Sequence, residues 1–263
     1  MLANLFRRLD QKRFLNIPIW EFSYHSFFKE YARLFLLRAV LAHPRKTLRG
    51  LRRYASYLAD DPDLPRKYQD ALSIPGAPET SLGTVQTSQP VVGVGFCLKP
   101  QSAEARFSCP SGHANHDCLY LETGTPQQAC SSCEILRIAL QARTSGYGLY
   151  IMTSAKDIAE DLLLPQVKHN LFPKAILCLC PYSIQAILPA LFICGIEALL
   201  LAYKTGSCRD YKEWRLADLG RKKERTALSE KARMRSFDFM KTSREAVSSS
   251  QGFKRRGHIY FPS

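Results

Sequence analysis

The fold is decided by residues 174–203, which read KAILCLCPYSIQAILPALFICGIEALLLAY. The stretch begins with a continuous apolar run, 174–180, which predicts a buried strand. Pro181 suits the first turn of a helix that follows this strand directly. Gly195 then turns the chain into a second apolar strand, Ile196–Tyr203. Apolar strands joined by a helix with short connections predict parallel strands in a sheet that helices cover on both faces.

The same alternation extends toward the amino terminus. Residues 91–96 and 147–152 are short apolar runs that predict two further strands. Residues 132–144 predict a helix between them, and Thr153-Ser154 caps another helix, which we expect Pro165 to end. The sequence therefore predicts an α/β protein with a mostly parallel open sheet, helices on both faces and right-handed crossovers.

Two basic flanks surround this central region. Residues 18–42 and 45–59 have apolar side chains at helical spacing and predict two amphipathic helices. We therefore divide the chain into a basic helical amino-terminal region with its polar linker (1–85), a cysteine-rich α/β domain (86–219) and a basic, partly disordered tail (220–263). We expect the end of that tail to be disordered.

The charge is concentrated in the flanks. The formal net charge is +14, with 12 Lys/Arg against 4 Asp/Glu in residues 1–60 and 16 against 7 in residues 204–263, while the residues between carry 9 against 12. Such flanks suit an acidic protein partner or an anionic membrane surface, which the amino-terminal helices would contact. Nucleic acid is a weaker candidate because no stacking-aromatic motif is present. Solvated helix faces are the simpler alternative.

The cysteine content indicates the redox compartment. The chain has nine cysteines, and residues 1–14 lack the apolar region of a secretory signal. Charged residues interrupt the longest apolar stretch, 18–42, so we do not expect a membrane span there. We predict a cytoplasmic protein that can lie at the periphery of a membrane. In such a reducing compartment, metal-binding or redox cysteines are commoner than disulfides.

Seven of the nine cysteines are predicted to gather at one edge of the sheet. Cys97 directly follows the first strand, Cys180 ends the third, and Cys208 lies just beyond the last. The carboxyl ends of parallel strands share one edge, which is also where open α/β sheets usually bind ligands. The loop that leaves this edge after Cys97 carries four more thiols, those of Cys109, Cys118, Cys130 and Cys133.

This pattern predicts a metal centre. The spacing Cys130-x2-Cys133 lets two thiolates share one metal, and His113 and His116 are weaker candidate ligands in the same loop. Thiolate-rich sites favour zinc or an iron–sulfur cluster, and the sequence leaves these two undecided. Seven thiols exceed the four that one site needs, so two sites, or one site and a redox pair, are both open.

Cys180 and the two cysteines outside this set need separate interpretations. Cys180 precedes Pro181 at a helix amino terminus, where the helix dipole stabilises a thiolate, so it is a candidate ligand or catalytic nucleophile. Cys178 lies inside an apolar strand, and Cys194 falls at a helix end. We interpret both as core residues.

An ordered series of short motifs carries a family resemblance. The motifs are Phe96-Cys97-Leu98-Lys99, Cys109-Pro110-Ser111, Cys130 to Ile135, Gly146-Tyr147 through Ser154, Leu179-Cys180-Pro181-Tyr182 and Gly206-Ser207-Cys208. In this order the segment from about Gly93 to Leu219 resembles the bacterial and archaeal family called domain of unknown function 116. It departs from the family pattern at Gln127, where a cysteine is expected that Cys118 would replace, and at Ser183, where the family often has Glu. The resemblance implies the cysteine site without implying a reaction.

Three functional hypotheses follow from the sequence. The first is a metal- or cluster-binding protein with a redox or scaffold role. The second is an enzyme that uses Cys180 as nucleophile or a cluster with an open coordination position. The third is a basic adaptor on an anionic membrane or nucleic acid, which is compatible with the first because it uses other parts of the chain.

Overall fold

The structure is a computed structural model. It describes residues 34–60, 71–78, 88–101, 108–209, 213, 216, 217, 219, 221, 224–241 and 252–263. Most of the helix predicted over 18–42 lies outside these residues, as do parts of the predicted linker and tail.

The centre of the protein is an eight-stranded sheet. Its strands are β1 (Ala71–Ile74), β2 (Val91–Gly95), β3 (Gly148–Met152), β4 (Lys174–Leu179), β5 (Glu197–Thr205), β6 (Ala227–Leu228), β7 (Phe253–Arg256) and β8 (Ile259–Pro262). The four central strands run parallel in the order β5-β4-β2-β3. Antiparallel strands extend both sides: β1 and β6 pair with β5, and the hairpin β7–β8 joins β3.

Helices alternate with the central strands, as predicted. They are α1 (Pro44–Asp60), α2 (Leu119–Thr123), α3 (Glu134–Thr144), α4 (Ala155–Ile158, a π-helical turn Ala159–Leu163 and Leu164–His169), α5 (Pro181–Cys194) and α6 (Glu230–Lys241). Shorter turns are a π-helical turn at Leu36–Leu41 and 3-10 turns at Phe96–Leu98 and Gln128–Ser132. Among the described residues, no helix combines the length and the apolar character that crossing a membrane requires.

Each face of the sheet has its own core. Val91 and Leu177 belong to the core that also contains residues of α1, α4 and α5. Val92 and Ile176, whose side chains alternate with these along β2 and β4, belong to the core with α3 and α6. Both faces of the central strands are therefore buried, and the predicted α/β class with helices on both faces is confirmed.

Helix α4 corrects one sequence prediction. Pro165 does not end the helix, which continues to His169 and stops where Asn170 adopts a left-handed conformation with φ 54°. The π-helical turn precedes the proline, and the Leu164 N–H bonds there to the carbonyl of Ala159, five residues back. This wider turn lets the helix accommodate a residue that has no N–H of its own.

The two edges of the sheet give a second correction. The prediction of a disordered chain end is wrong for residues 253–262, because β8 pairs with β3 and buries Ile259, Tyr260 and Phe261. The basic residues of β7 directly precede this short apolar strand, so the composition of the segment as a whole indicated a disordered tail. At the other side, β1 lies in the stretch predicted to be a linker.

Candidate metal centre

Three strand ends bring three thiols together. Cys97 lies in the 3-10 turn after β2, Cys180 is the N-cap of α5 directly after β4, and Cys208 follows β5. The backbone N–H of Cys208 donates to Cys180 Sγ at 3.2 Å, and the charge of Cys97 acts on the Cys180 thiol. We call Cys97, Cys180 and Cys208 the three-thiol group. The structure therefore places these sequence-predicted residues together at the carboxyl edge.

Tyr203 links the two strand ends that precede Cys97 and Cys180. Its hydroxyl accepts a hydrogen bond from the Gly95 N–H and donates one to the Cys178 carbonyl, both at 2.8 Å. Burial raises the pKa of Tyr203, so this hydroxyl stays protonated and can keep donating. One side chain of β5 thus fixes the ends of β2 and β4, and sequence reasoning did not identify it.

The other four predicted thiols line a separate pocket. Cys109, Cys118, Cys130 and Cys133 line this pocket, together with Lys99. We call this the four-thiol pocket. Its cysteines come from a turn, from the N-cap of α2, from the 3-10 turn Gln128–Ser132 and from the N-cap of α3.

The thiols of this pocket influence one another electrostatically. Burial and the charges of the other three cysteines raise the pKa of Cys118 to about 11, although the Leu121 N–H opposes the shift. Burial likewise raises the pKa of Cys133, with smaller contributions from Cys109 and Cys130 that the backbone N–H groups at the start of α3 oppose. In the absence of a bound metal these two thiols are therefore protonated at neutral pH, and a metal would displace their protons.

A buried cation lies beside the four thiols. Lys99 is 3 % exposed, and its Nζ donates to the backbone oxygen and to Oδ1 of Asn115 at 3.0 and 2.5 Å. Burial lowers the pKa of Lys99, while the charges of Cys109 and Cys118 act in the opposite direction. Buried ammonium groups are rare unless a negative charge accompanies them, so the lysine suits a site that carries net negative charge when filled. Lys99 belongs to the motif Phe96-Cys97-Leu98-Lys99, but only the fold places it beside the four-thiol pocket.

The spacing of the sulfur atoms matters for the kind of metal. Among the described residues, the only three candidate ligands whose atoms all lie within 4.8 Å of one another are His116, Asp161 and His258. No three of the nine cysteine sulfurs, all of which are described, are that close. Around one zinc ion the sulfurs would stand about 3.8 Å apart, as tetrahedral geometry with bonds of about 2.3 Å requires.

The two weaker candidates from the sequence do not line the four-thiol pocket. His113 Nε2 lies 2.9 Å from Gln101 Nε2 and 3.2 Å from the Ala217 carbonyl. His116 Nδ1 bonds to the Ile151 carbonyl at 2.7 Å, and its ring stacks on that of His258.

The remaining cysteines are core residues in position. Cys178 and Cys194 are 1 % and 5 % exposed, and Cys194 Sγ donates to the Leu163 carbonyl at 3.5 Å. No disulfide joins any of the nine cysteines.

The carboxyl-terminal hairpin completes the surroundings of the cysteine loop, which no sequence signal indicated. Arg255 forms ion pairs with Asp117 and Glu122 at 2.8 and 3.0 Å, and the Tyr260 hydroxyl donates to Glu122 at 2.9 Å. The Cys118 N–H donates to the same hydroxyl at 3.2 Å. The end of the chain therefore holds the loop that carries the thiols.

Comparisons of the chain with protein-family models, with curated proteins and with solved structures gave no match. The resemblance to domain of unknown function 116 stays a prediction.

Proposed function

We propose that this protein binds an iron–sulfur cluster in the four-thiol pocket and has a redox or scaffold role. The observation that carries the proposal is the convergence of four cysteines on one pocket beside the buried ammonium of Lys99. Four thiolates are the usual protein ligands of a cubane cluster, which would supply one-electron chemistry when bound. Cys109, Cys118, Cys130 and Cys133 would be its ligands.

Two features favour a cluster over zinc. The sulfurs are spread more widely than the corners of a single-ion site, and a cubane separates its thiolates farther than one zinc ion does. A pocket that also contains a cation suits the net negative charge of a thiolate-ligated cluster. Zinc remains a defined outcome of the test.

The three-thiol group supports a second candidate function, an enzyme with a cluster at an open site. Cys97, Cys180 and Cys208 could ligate three irons of a cubane and leave one iron for a substrate. A hydrogen bond with the Cys208 side chain and burial raise the pKa of Cys180, although the backbone N–H of Cys208 opposes the shift. A raised pKa disfavours Cys180 as a free nucleophile, because the thiolate is the reactive form, whereas a bound metal would displace the proton of a ligand thiol.

The basic-adaptor hypothesis uses a different part of the chain. Its amphipathic helix over 18–42 lies mostly outside the described residues, whereas α1 exposes Leu48 beside its basic side chains. Contact with an anionic membrane, with an acidic protein or, less favourably, with nucleic acid stays a separate proposal, and binding should weaken as salt is raised.

Anaerobic purification of the full chain tests the main proposal. We expect a brown protein that absorbs at about 400 nm and contains about four iron and four sulfide atoms per chain, or more if a second cluster is present. Cys133→Ala should lose the cluster of the four-thiol pocket. Cys194→Ala is the matched control, because Cys194 is equally buried but belongs to the core on the other face.

Three results would decide against parts of this proposal. Stoichiometric zinc in place of iron would keep the site and reject the cluster. A folded protein with neither metal, or a Cys133→Ala variant with a full complement of iron, would reject the site. If Cys97→Ala, Cys180→Ala and Cys208→Ala each keep all the iron, the second cluster is rejected.

A further inference from the structure

A different set of ligand-type side chains lies outside both cysteine groups. His116 comes from the cysteine loop, Asp161 from α4 and His258 from the turn between β7 and β8. One candidate ligand atom from each lies within 4.8 Å of the other two. We propose that His116, Asp161 and His258 bind a divalent transition-metal ion.

The hydrogen bonds of His116 define which of its nitrogens is available. Nδ1 lies 2.7 Å from the Ile151 carbonyl, which can only accept, so Nδ1 carries the proton. In the neutral ring, Nε2 then carries no proton and has an available lone pair. A histidine that donates one N–H to a backbone carbonyl and keeps the other nitrogen as a lone pair is in the arrangement usual for metal-binding histidines.

That lone pair faces a carboxylate and a hydroxyl. His116 Nε2 lies 3.6 Å from Asp157 Oδ2 and 3.2 Å from Thr153 Oγ1. The Thr153 hydroxyl makes its short hydrogen bond to Asp157, and Ser154 donates to the same carboxylate oxygen at 2.7 Å. A lone pair beside a carboxylate is repelled unless a positive charge lies between them. A proton on Nε2 or a bound cation would supply that charge.

Asp161 is held in a fixed orientation. Its Oδ2 accepts a hydrogen bond from the Tyr150 hydroxyl at 2.9 Å and lies 2.8 Å from His258 Nδ1. Tyr150 is fully buried, so it anchors the carboxylate to the sheet. Supporting contacts of this kind orient metal-binding carboxylates and histidines.

His258 is the movable member of the set. Its side chain is 43 % exposed, and its ring lies parallel to that of His116 with 3.9 Å between centroids. Because imidazole lone pairs lie in the ring plane, joint binding of one ion requires the His258 ring to turn out of this stack. The same exposure leaves room for water or an anionic oxygen of a substrate in the remaining coordination positions.

The donor set indicates the class of metal. Two imidazoles and one carboxylate with open positions suit Fe²⁺, Mn²⁺ or Zn²⁺, whereas the thiols prefer softer metals and clusters. The ion would join the cysteine loop, α4 and the carboxyl-terminal hairpin. The site shares no ligand with either cysteine group, although His116 lies in the same loop as Cys118.

Titration of the full-length protein with Mn²⁺ tests this proposal, with free Mn²⁺ followed by its electron paramagnetic resonance signal. Mn²⁺ is chosen because thiolates compete poorly for it. We expect one bound Mn²⁺ per chain, and affinity at least about tenfold lower in His258→Ala. His169→Ala is the control, since His169 is exposed at the end of α4.

The outcomes separate this site from the cluster. Iron and sulfide contents should be the same in His258→Ala as in the wild type. His258→Asn, which keeps a polar turn residue, serves as a second variant if the alanine variant does not fold. Wild-type protein that binds no Mn²⁺ at millimolar concentration would overturn the proposal, as would unchanged affinity in the His258 variant or a loss of Mn²⁺ binding in Cys133→Ala alone.

Discussion

Removal of the Tyr203 hydroxyl should destabilise the carboxyl edge of the sheet. In Tyr203→Phe the ring stays in place, but the Gly95 N–H loses its acceptor and the Cys178 carbonyl loses a donor, each now 2.8 Å from the hydroxyl. An N–H left without a partner in a part-buried position costs about 1–3 kcal/mol, and a lost buried hydrogen bond costs about 0.5–1.5 kcal/mol. We therefore expect the free energy of unfolding to fall by about 2–4 kcal/mol.

Urea unfolding of the cluster-free protein under anaerobic, reducing conditions measures this change. Tyr57→Phe is the matched control, because the Tyr57 hydroxyl donates a solvent-exposed hydrogen bond to the Ser73 carbonyl at 3.1 Å. It should cost less than about 0.5 kcal/mol. The slope against urea should be unchanged in both variants, so that the midpoints report stability. Equal midpoints for Tyr203→Phe and the wild type would refute the argument that this hydroxyl ties three strands together.

Three further predictions rest on particular contacts. Gly50→Ala should lower the free energy of unfolding, measured by urea titration, by about 1–3 kcal/mol, because the added Cβ would lie 2.5 Å from the Ile193 Cα. A more stable variant would show that α1 and α5 can separate there at no cost. Lys99→Met should lower the reduction potential of the proposed cluster by about 40 mV, if the buried charge contributes about 1 kcal/mol, and a potential that is unchanged or higher in anaerobic voltammetry would contradict this. Burial raises the pKa of Tyr54 above its ordinary value of 10.0, so folding favours the protonated phenol. The resulting contribution to the free energy of unfolding is complete below pH 10.0 and is lost as the pH rises above that value. Above about pH 10, the wild type should therefore lose up to about 1.4 kcal/mol more stability per pH unit than Tyr54→Phe. Parallel profiles of the free energy of unfolding against pH would exclude this linkage.

The local sequence was sufficient for the central part of the fold. The apolar runs that became β2, β3, β4 and β5 are buried on both faces, so their charged side chains, those of Lys174, Glu197 and Lys204, lie only at or next to strand ends. Gly195 ends α5 with φ 71°, as its position suggested. Elements that depend on distant partners were not recognised. The strand Ile259–Pro262 gains its hydrogen bonds from β3, more than 100 residues away, while the basic residues beside it indicated a solvated tail.

The candidate site shows the same division. Parallel topology predicted that Cys97, Cys180 and Cys208 would meet, and the structure brings them together. The sequence could not show that Cys109, Cys118, Cys130 and Cys133 form a pocket of their own, since the path of a loop depends on what it packs against. Here that support includes the hydrogen bond between Cys118 and Tyr260.

By itself, then, the sequence determined the α/β core and the presence of many thiols at one edge, because strand periodicity and chain direction are local properties. The tertiary structure alone decided the division of those thiols into a group of three and a pocket of four. It also decided the position of Lys99 beside the pocket and the meeting of His116, Asp161 and His258. These arrangements join segments that are far apart along the chain, and only the packed fold determines the distances between them.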